Sequence, residues 1–538
     1  MPPNESLYFS ESILSIQESV PNDFDIDYVG KAQAADFETA IHYSKFGKFQ
    51  YVLLLCSGIV YATCAISTTT LSFVLPSAEC DFDLKSADKG KLSAMPLIGM
   101  VFGCSIWGSI ANAKGRRIAL MLSLLIDFVA AVSSSMAQTI NVFLVCRFFN
   151  GFGIIGATSL IFSYLGEFLS KKHTDKMLGK LEIFWNIGII LLPGVAFSLL
   201  RRSALETFKL YDFSPWRIFV LICGVPSLLS IVVLWFLPET PKYLISKGRF
   251  EEARNVFQGI FKWNTGQSTS LYPVLTLEGE YENNNNKEEF KYPLKYRLYK
   301  KCGDMARKII DFFRHSQLKY LGVVSFADFG LMASYFTLIM WFPEIFERFN
   351  ESEKQHPNKT ATVCSVSSIN SSLNNTQIYW EEICDPTIGN RVFLETTIIG
   401  LSCIPTSLTL SFLMEKLGKK TVLVLSLILS GISTIALLCV QSAIHTLIVS
   451  CIFEALTSIL ESVLFCIVVD IFPTNIRAIA LSITATSGRL GAIFGNVIFG
   501  LLIDKDCIIP IYLFGFMLIF SGILCLILPK TDKYIPIE

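Results

Sequence analysis

Asp328, Glu454, Glu461, Arg489 and Arg147 each stand inside a long apolar stretch of this 538-residue chain. A charge held near the centre of a bilayer costs roughly 2.5 to 3.5 kcal/mol on insertion scales, so ionisable residues there handle an ion or a charged solute, or fasten helices together. Glu454 and Glu461 are seven residues apart, which on a helix puts both carboxylates on one face about 10.5 Å apart along the axis. Asp328 and Arg489 fall near mid-depth of their own stretches, where opposite charges pair, and Ser482, Arg489 and Asn496 repeat the seven-residue spacing. Three acids against one base suit an organic cation, or a proton held on a buried carboxylate. An Arg–carboxylate cluster that ties three helices together is the structural alternative. Tyr335 lies seven residues from Asp328, and Trp185 stands beside Asn186. Both rings can cage a cation through their π faces or serve only as packing.

The elements that must position these groups are apolar helices. Hydrophobic residues make up 52% of the chain and charged residues only 17%, against about 25% charged in an average soluble domain, and the mean hydropathy is +0.51. An ordinary soluble protein is thereby excluded. Apolar stretches long enough to cross a bilayer occur at 49–75, 92–111, 118–137, 142–165, 178–200 and 216–237, then at 318–342, 391–413, 421–440, 446–469, 478–502 and 508–528. The reading is an all-α membrane protein with twelve spans in two six-helix halves. Its parts are an acidic N-terminal segment (1–48), a first bundle (49–237), a linker (238–317), a second bundle (318–528) with a long loop at 347–389, and a tail (529–538).

Lys plus Arg equals Asp plus Glu, so no nucleic-acid partner is expected. The sequence contains no G-x-x-x-x-G-K-[ST] and only five His without metal spacing, so neither a cofactor, a metal nor enzymatic catalysis is expected. The N-terminus lacks the basic and apolar regions of a secretory signal and is assigned to the cytosol. Basic residues then gather in the cytosolic loops, at Lys114, Arg116 and Arg117, at Lys171, Lys172 and Lys176, and at Lys416, Lys419 and Lys420. The loop after span 7 falls on the other side. It holds four N-x-[ST] sequons, at Asn350, Asn358, Asn370 and Asn374, which in one outside loop read as a glycosylated segment. Cys364 and Cys384 in that loop are the expected disulfide if the compartment is oxidising.

The two halves echo each other. GSIANAKGRR (108–117) follows span 2 and SFLMEKLGKK (411–420) follows span 8 at an offset of 303, and Glu167 and Asp470 close spans 4 and 10 at the same offset. LPETPKY (237–243) and LPKTDKY (528–534) follow spans 6 and 12. Such marks indicate a duplicated bundle with a central site between its halves.

GSIANAKGRR, RFFNGFGIIG (147–156) and DIFPTNIR (470–477) resemble loop and span motifs of the major facilitator superfamily. FVLPSAECDFDLKSADKGKL (73–92), IFSYLGEFL (161–169), WRIFVLICGVPS (216–227) and WFPEIF (341–346) resemble its synaptic vesicle glycoprotein 2 group, with a shorter loop after span 7. The resemblance implies a vesicle or plasma-membrane glycoprotein related to organic-ion transporters. It also implies a cytosolic gate built from Asn112, Arg116, Arg117, Glu167, Glu415, Asp470 and Arg477. Asn112 stands where the family has an acid, so the usual carboxylate–Arg latch is expected to be missing in the first half. The carboxylates of the group's span 1 are replaced by Cys64 and Ser67, which leaves Asp127 as the acid available to Arg147.

Two functional expectations follow. One is a secondary carrier of a small organic solute, cationic by charge balance, with protons as a candidate coupling ion. The other is a non-transporting membrane glycoprotein that engages vesicle-trafficking proteins.

Overall fold

The computed structural model describes residues 35–201, 214–277, 318–355, 364, 388–472 and 474–529. Asn358, Asn370, Asn374 and Cys384 lie outside the described residues, as do the asparagine run at 283–286 and the basic stretch at 295–301. Among the described residues twelve helices are long and apolar enough to cross a membrane. Spans 1 to 6 are Lys48–Ser77, Ser86–Lys114, Arg116–Ser135, Ile140–Gly166, Lys171–Leu200 and Pro215–Trp235. Spans 7 to 12 are Leu318–Glu353, Asn390–Leu410, Lys419–Ala436, Ala443–Ile471, Ile479–Asp506 and Ile508–Cys525. Side chains such as Phe102, Val129, Leu229, Phe412 and Phe516 are exposed on the outer faces. That is where lipid takes the place of a protein core.

Local chemistry sets the ends. Thr139 caps span 4 by accepting from the Val142 N–H, and Pro215 occupies the first turn of span 6. Gly115 and Gly418, 303 residues apart, adopt φ of +108° and +82° at the turns into spans 3 and 9. Glycine takes that backbone region without the Cβ penalty. The helix of span 7 continues to Gln355, well beyond the apolar stretch that ends at 342. Its last turns carry Glu344 and Arg348, which are buried against partners on other helices. Span 10 is two helical segments, Ala443–Thr457 and Leu460–Ile471, broken at Ser458 and Ile459.

The duplication is visible in three dimensions. Arg116 pairs with Glu167 at 3.0 Å and Lys419 with Asp470 at 2.6 Å. Arg117 donates to the carbonyls of Leu234 and Trp235 at the end of span 6, and Lys420 to those of Leu526 and Leu528 after span 12. A Cβ on Gly188 would meet the backbone of Ala62 in span 1, and one on Gly491 would meet Phe329 in span 7. The pairs Gly99/Gly103 and Gly491/Gly495 are thus close helix contacts, against spans 4 and 7 respectively.

A small module sits at the end where the N-terminal residues and the linker meet. Helix α1 (Phe37–Tyr43), capped by Asp36, packs with α2 (Pro241–Ser246) and α3 (Phe250–Thr265). Hydrogen bonding from Thr39 holds the Asp36 carboxyl below its ordinary range. The amphipathic α3 buries Ala253, Phe257, Ile260 and Phe261. Asn264 donates to the Ser44 and Lys45 carbonyls and accepts from the Phe49 N–H, while the Tyr272 hydroxyl, pushed up to about 12 by burial, donates to the Ala40 carbonyl. This end is called the linker side below.

Candidate functional site

The most extensive contacts between the bundles are span 2 with span 11 and span 5 with span 8, and the end of span 1 also meets span 7. On the side away from the linker, span 2 crosses span 11 so closely that a Cβ on Gly90 would stand 2.7 Å from the Asn496 carbonyl oxygen, and one on Gly500 would stand 2.6 Å from that of Ser86. Around this crossing lies a cluster of charges that sequence reasoning missed. The Lys89 ammonium, 1% exposed, donates to Glu344 of span 7 at 2.7 Å and to Glu79 at 2.8 Å. Arg348 reaches the same Glu344 at 3.0 Å, Asp504 of span 11 at 3.0 Å and the Ser86 hydroxyl at 3.0 Å. Phe73 and Phe393 stack across the interface at 5.7 Å. These charges escaped a search of the apolar stretches because they stand just outside them, at 79, 89, 344, 348 and 504.

Beneath this closure lies a small cavity between the halves, lined by residues of spans 1, 5, 7, 8 and 10. Its walls include Phe73, Leu192, Phe342 and Ile399, and Glu454 is the charged residue among them. Glu454 has no exposure, no donor meets its carboxylate in good hydrogen-bond geometry, and the Tyr335 hydroxyl is the neighbouring donor that approaches it. The hydroxyls in the wall give their protons to backbone carbonyls: Thr69 to Ala65, Ser72 to Thr69, and Thr396 to Val392. Their lone pairs are what remains to be offered inward, so the polar surface of the cavity consists of acceptors. A carboxylate so poorly satisfied costs several kcal/mol in such surroundings. A ligand that brings positive charge and N–H donors relieves that cost, and an anion adds to it.

At mid-depth a second acidic group joins the halves. Glu182 of span 5 accepts from the Tyr61 hydroxyl at 3.3 Å and, across the interface, from the Ser462 hydroxyl of span 10 at 3.3 Å. The neighbouring Asn186 donates to Ser407 of span 8 at 2.8 Å. Arg489 approaches Glu461 at 3.8 Å and leans over the Phe336 ring at 5.4 Å. Tyr61 packs against Trp185 at 5.2 Å and Phe162 at 5.0 Å, and Trp185 faces Tyr335. Glu182 was not singled out from the sequence because it lacks a partner at seven-residue spacing. Its place four residues into the apolar stretch at 178–200, just before Trp185 and Asn186, was the available signal.

Several expected residues fall elsewhere. Asp328 does not pair with Arg489: it is 1% exposed, its oxygens have no hydrogen-bond partner, and it packs against Gly488 between spans 7 and 11. Arg147 and Asp127 do not form an ion pair either. Asp127 accepts from Ser67, Asn150 and Ser227, while Arg147 lies over the Phe143 ring at 4.9 Å with Nε and Nη2 unbonded. Three short donors on spans 1, 4 and 6 saturate the carboxylate before the guanidinium reaches it.

The gate residues also rearrange the expectation. Asn112 and Glu415 are exposed, yet the first half is latched, because Arg116 takes Glu167 and the Glu239 carboxylate accepts from the backbone N–H groups of Arg116 and Arg117. Arg477 donates to the Phe472 carbonyl.

The expected pairing of Cys364 with Cys384 is corrected. Cys364 bonds Cys507, at the turn from span 11 to span 12, with Cα atoms 5.2 Å apart. Span 7 packs on span 11, the helix that ends at this turn, so neighbourhood in sequence was the wrong guide. Cys80 is disulfide-bonded too. Asn350, in the last turns of the span 7 helix, is 7% exposed.

The description "Sugar (and other) transporter" fits residues 44–297, and "Major Facilitator Superfamily" fits residues 324–537. Among curated proteins, synaptic vesicle glycoprotein 2B of Homo sapiens is 29% identical over 60% of this chain and 48% of its own length. Synaptic vesicle glycoprotein 2B of Rattus norvegicus is 26% identical over 93% of the chain and 86% of its own length. Synaptic vesicle glycoprotein 2A of Rattus norvegicus is 34% identical over 43% of the chain and 31% of its own length. The match to the human protein thus spans about half of that relative. Among solved structures, an inward-open conformation of the xylose transporter XylE from E. coli superposes with a TM-score of 0.65, at 17% identity, over 90% of this chain and 97% of that one. A partially occluded inward-open conformation of XylE gives a TM-score of 0.64 over 90% and 99%.

Proposed function

This chain belongs to the major facilitator superfamily, and from that premise we propose that it is a secondary carrier of a small organic cation, working by alternating access of its two bundles. The observation that carries the charge class is Glu454: a fully buried carboxylate with no cationic partner and only the Tyr335 hydroxyl approaching it, in a cavity whose hydroxyls present lone pairs. Glu182, Glu461 and Arg489 continue the path toward the linker side, with the rings of Tyr61, Trp185 and Tyr335 beside it.

The linker side is assigned to the cytosol and the disulfide side to an oxidising exterior or vesicle lumen. Basic loops on the first and Cys364–Cys507 on the second support that assignment. The bonds that join the bundles gather at mid-depth and on the disulfide side, so this conformer is inward-facing. Asp328, buried and unpaired between spans 7 and 11, is the proposed proton acceptor if transport is proton-coupled. The membrane is that of the cell surface or of a secretory vesicle, in keeping with the names of the curated relatives.

Purified protein should be screened against primary amines, a quaternary ammonium, a hexose and an aromatic acid for thermal stabilisation, and hits followed by tracer flux in liposomes. The reading expects stabilisation by the amines and flux that saturates. Stabilisation by the hexose or the acid alone would replace the substrate class. An amine that stabilises without crossing the bilayer would favour the receptor-like glycoprotein.

A further inference from the structure

Two acidic positions, not one, face the path between the bundles, and they stand on opposite sides of the break in span 10. Glu454 precedes the break and lines the inner cavity with no cationic partner, approached only by the Tyr335 hydroxyl. Glu461 follows it, near Arg489, and Glu182 reaches across from span 5 to bond the adjacent Ser462. In ionised form the three carboxylates outnumber the one guanidinium by two charges. The break lies between the two positions: Ala443–Thr457 ends there and Leu460–Ile471 begins, with Glu461 in its first turn. Asp328, packed against Gly488, lies within electrostatic reach of Glu461 and Arg489 and is a fourth acid beside these three.

Building on the cation reading above, we infer that the solute carries two amino groups at the ends of a flexible chain: a linear aliphatic diamine, with one ammonium at Glu454 and the other between Glu182 and Glu461. Seven residues of helix rise about 10.5 Å, a span that four to six methylenes bridge when each ammonium donates to its own carboxylate. The wall between the two positions fits such a chain. Ile339 lines the inner cavity, Tyr335 lies one helical turn from it on span 7, and Trp185 faces Tyr335. Ile339 and the faces of the two rings take methylenes, while the Trp185 N–H is directed at the Tyr335 hydroxyl, and that hydroxyl at Glu454, rather than at the middle of the chain.

The test is calorimetric titration of purified wild-type protein with 1,4-diaminobutane, 1,5-diaminopentane and 1,6-diaminohexane, each against the monoamine of equal length and against its mono-N-acetyl derivative. The diamines should bind about tenfold tighter than either comparison compound, the size of one added ion pair partly screened by water. Glu461→Gln and Glu182→Gln should each reduce that preference, and Glu454→Gln should weaken monoamines and diamines alike. Equal affinity of diamine, monoamine and acetylated diamine would overturn the two-site assignment and leave the cation reading standing. Failure of every amine, with binding of a sugar or an acid, would overturn both. The wild-type comparison alone decides the point if a variant fails to fold.

Discussion

Glu454 was legible in the sequence because a carboxylate inside an apolar stretch is conspicuous wherever the stretch folds. What the sequence could not supply was its surroundings: hydroxyls that spend their protons on backbone carbonyls leave no signature in spacing. Glu454→Gln removes the charge and keeps the shape, so cation binding should fall about tenfold or more, the loss of a poorly solvated charge-assisted hydrogen bond. Titration of a primary amine into the purified variant checks this, and unchanged affinity would remove Glu454 from the site. Arg147 shows the opposite limit. Its membrane depth was readable, but whether Asp127 would reach it depended on Ser67, Asn150 and Ser227 arriving from three other helices. Asn350 separates motif from context in the same way. Its sequon is intact but its amide is buried, so Asn350→Gln should leave electrophoretic mobility of the expressed protein unchanged. A downshift matching one glycan would show that the loop carries sugar there.

At the scale of elements, hydropathy located the spans and misjudged the end of span 7. The apolar pattern stops at Phe342, yet the helix continues because Glu344 and Arg348 are satisfied by Lys89 and Asp504. Pairing between distant helices is invisible along the chain, and this pairing closes the disulfide side. Removing one partner of a buried ion pair costs about 3 to 5 kcal/mol. Glu344→Gln therefore withdraws that much from the state in which spans 2, 7 and 11 are locked, about two to four powers of ten in population. Combined with Ser72→Cys in the cavity wall, it should raise labelling by a membrane-impermeant maleimide added from the disulfide side. Labelling equal to that of Ser72→Cys alone would mean that the cluster does not hold the closure. Gly90→Val tests the same closure by bulk. A side chain there meets the Asn496 carbonyl and Gly500, so the bundles must part and labelling should again rise.

For the whole molecule, the offset of 303 read from loops and helix ends reappears as paired geometry, Arg116–Glu167 with Lys419–Asp470 and Gly188 with Gly491. The duplication was legible because turns and helix-end charges have fixed local chemistry. The disulfide was not, because Cys364 finds Cys507 only once span 7 has packed on span 11. Closure on one side, a cavity of acceptors beneath it and a path of carboxylates toward the linker side are the features on which the proposed carrier function rests. The most direct measurement is uptake of a radiolabelled primary amine into liposomes holding the wild-type protein, beside Glu454→Gln reconstituted to equal density. The account predicts saturable uptake by the wild type that is lost in the variant. Uptake that persists in Glu454→Gln, or wild-type uptake no greater than that of empty liposomes, would contradict it.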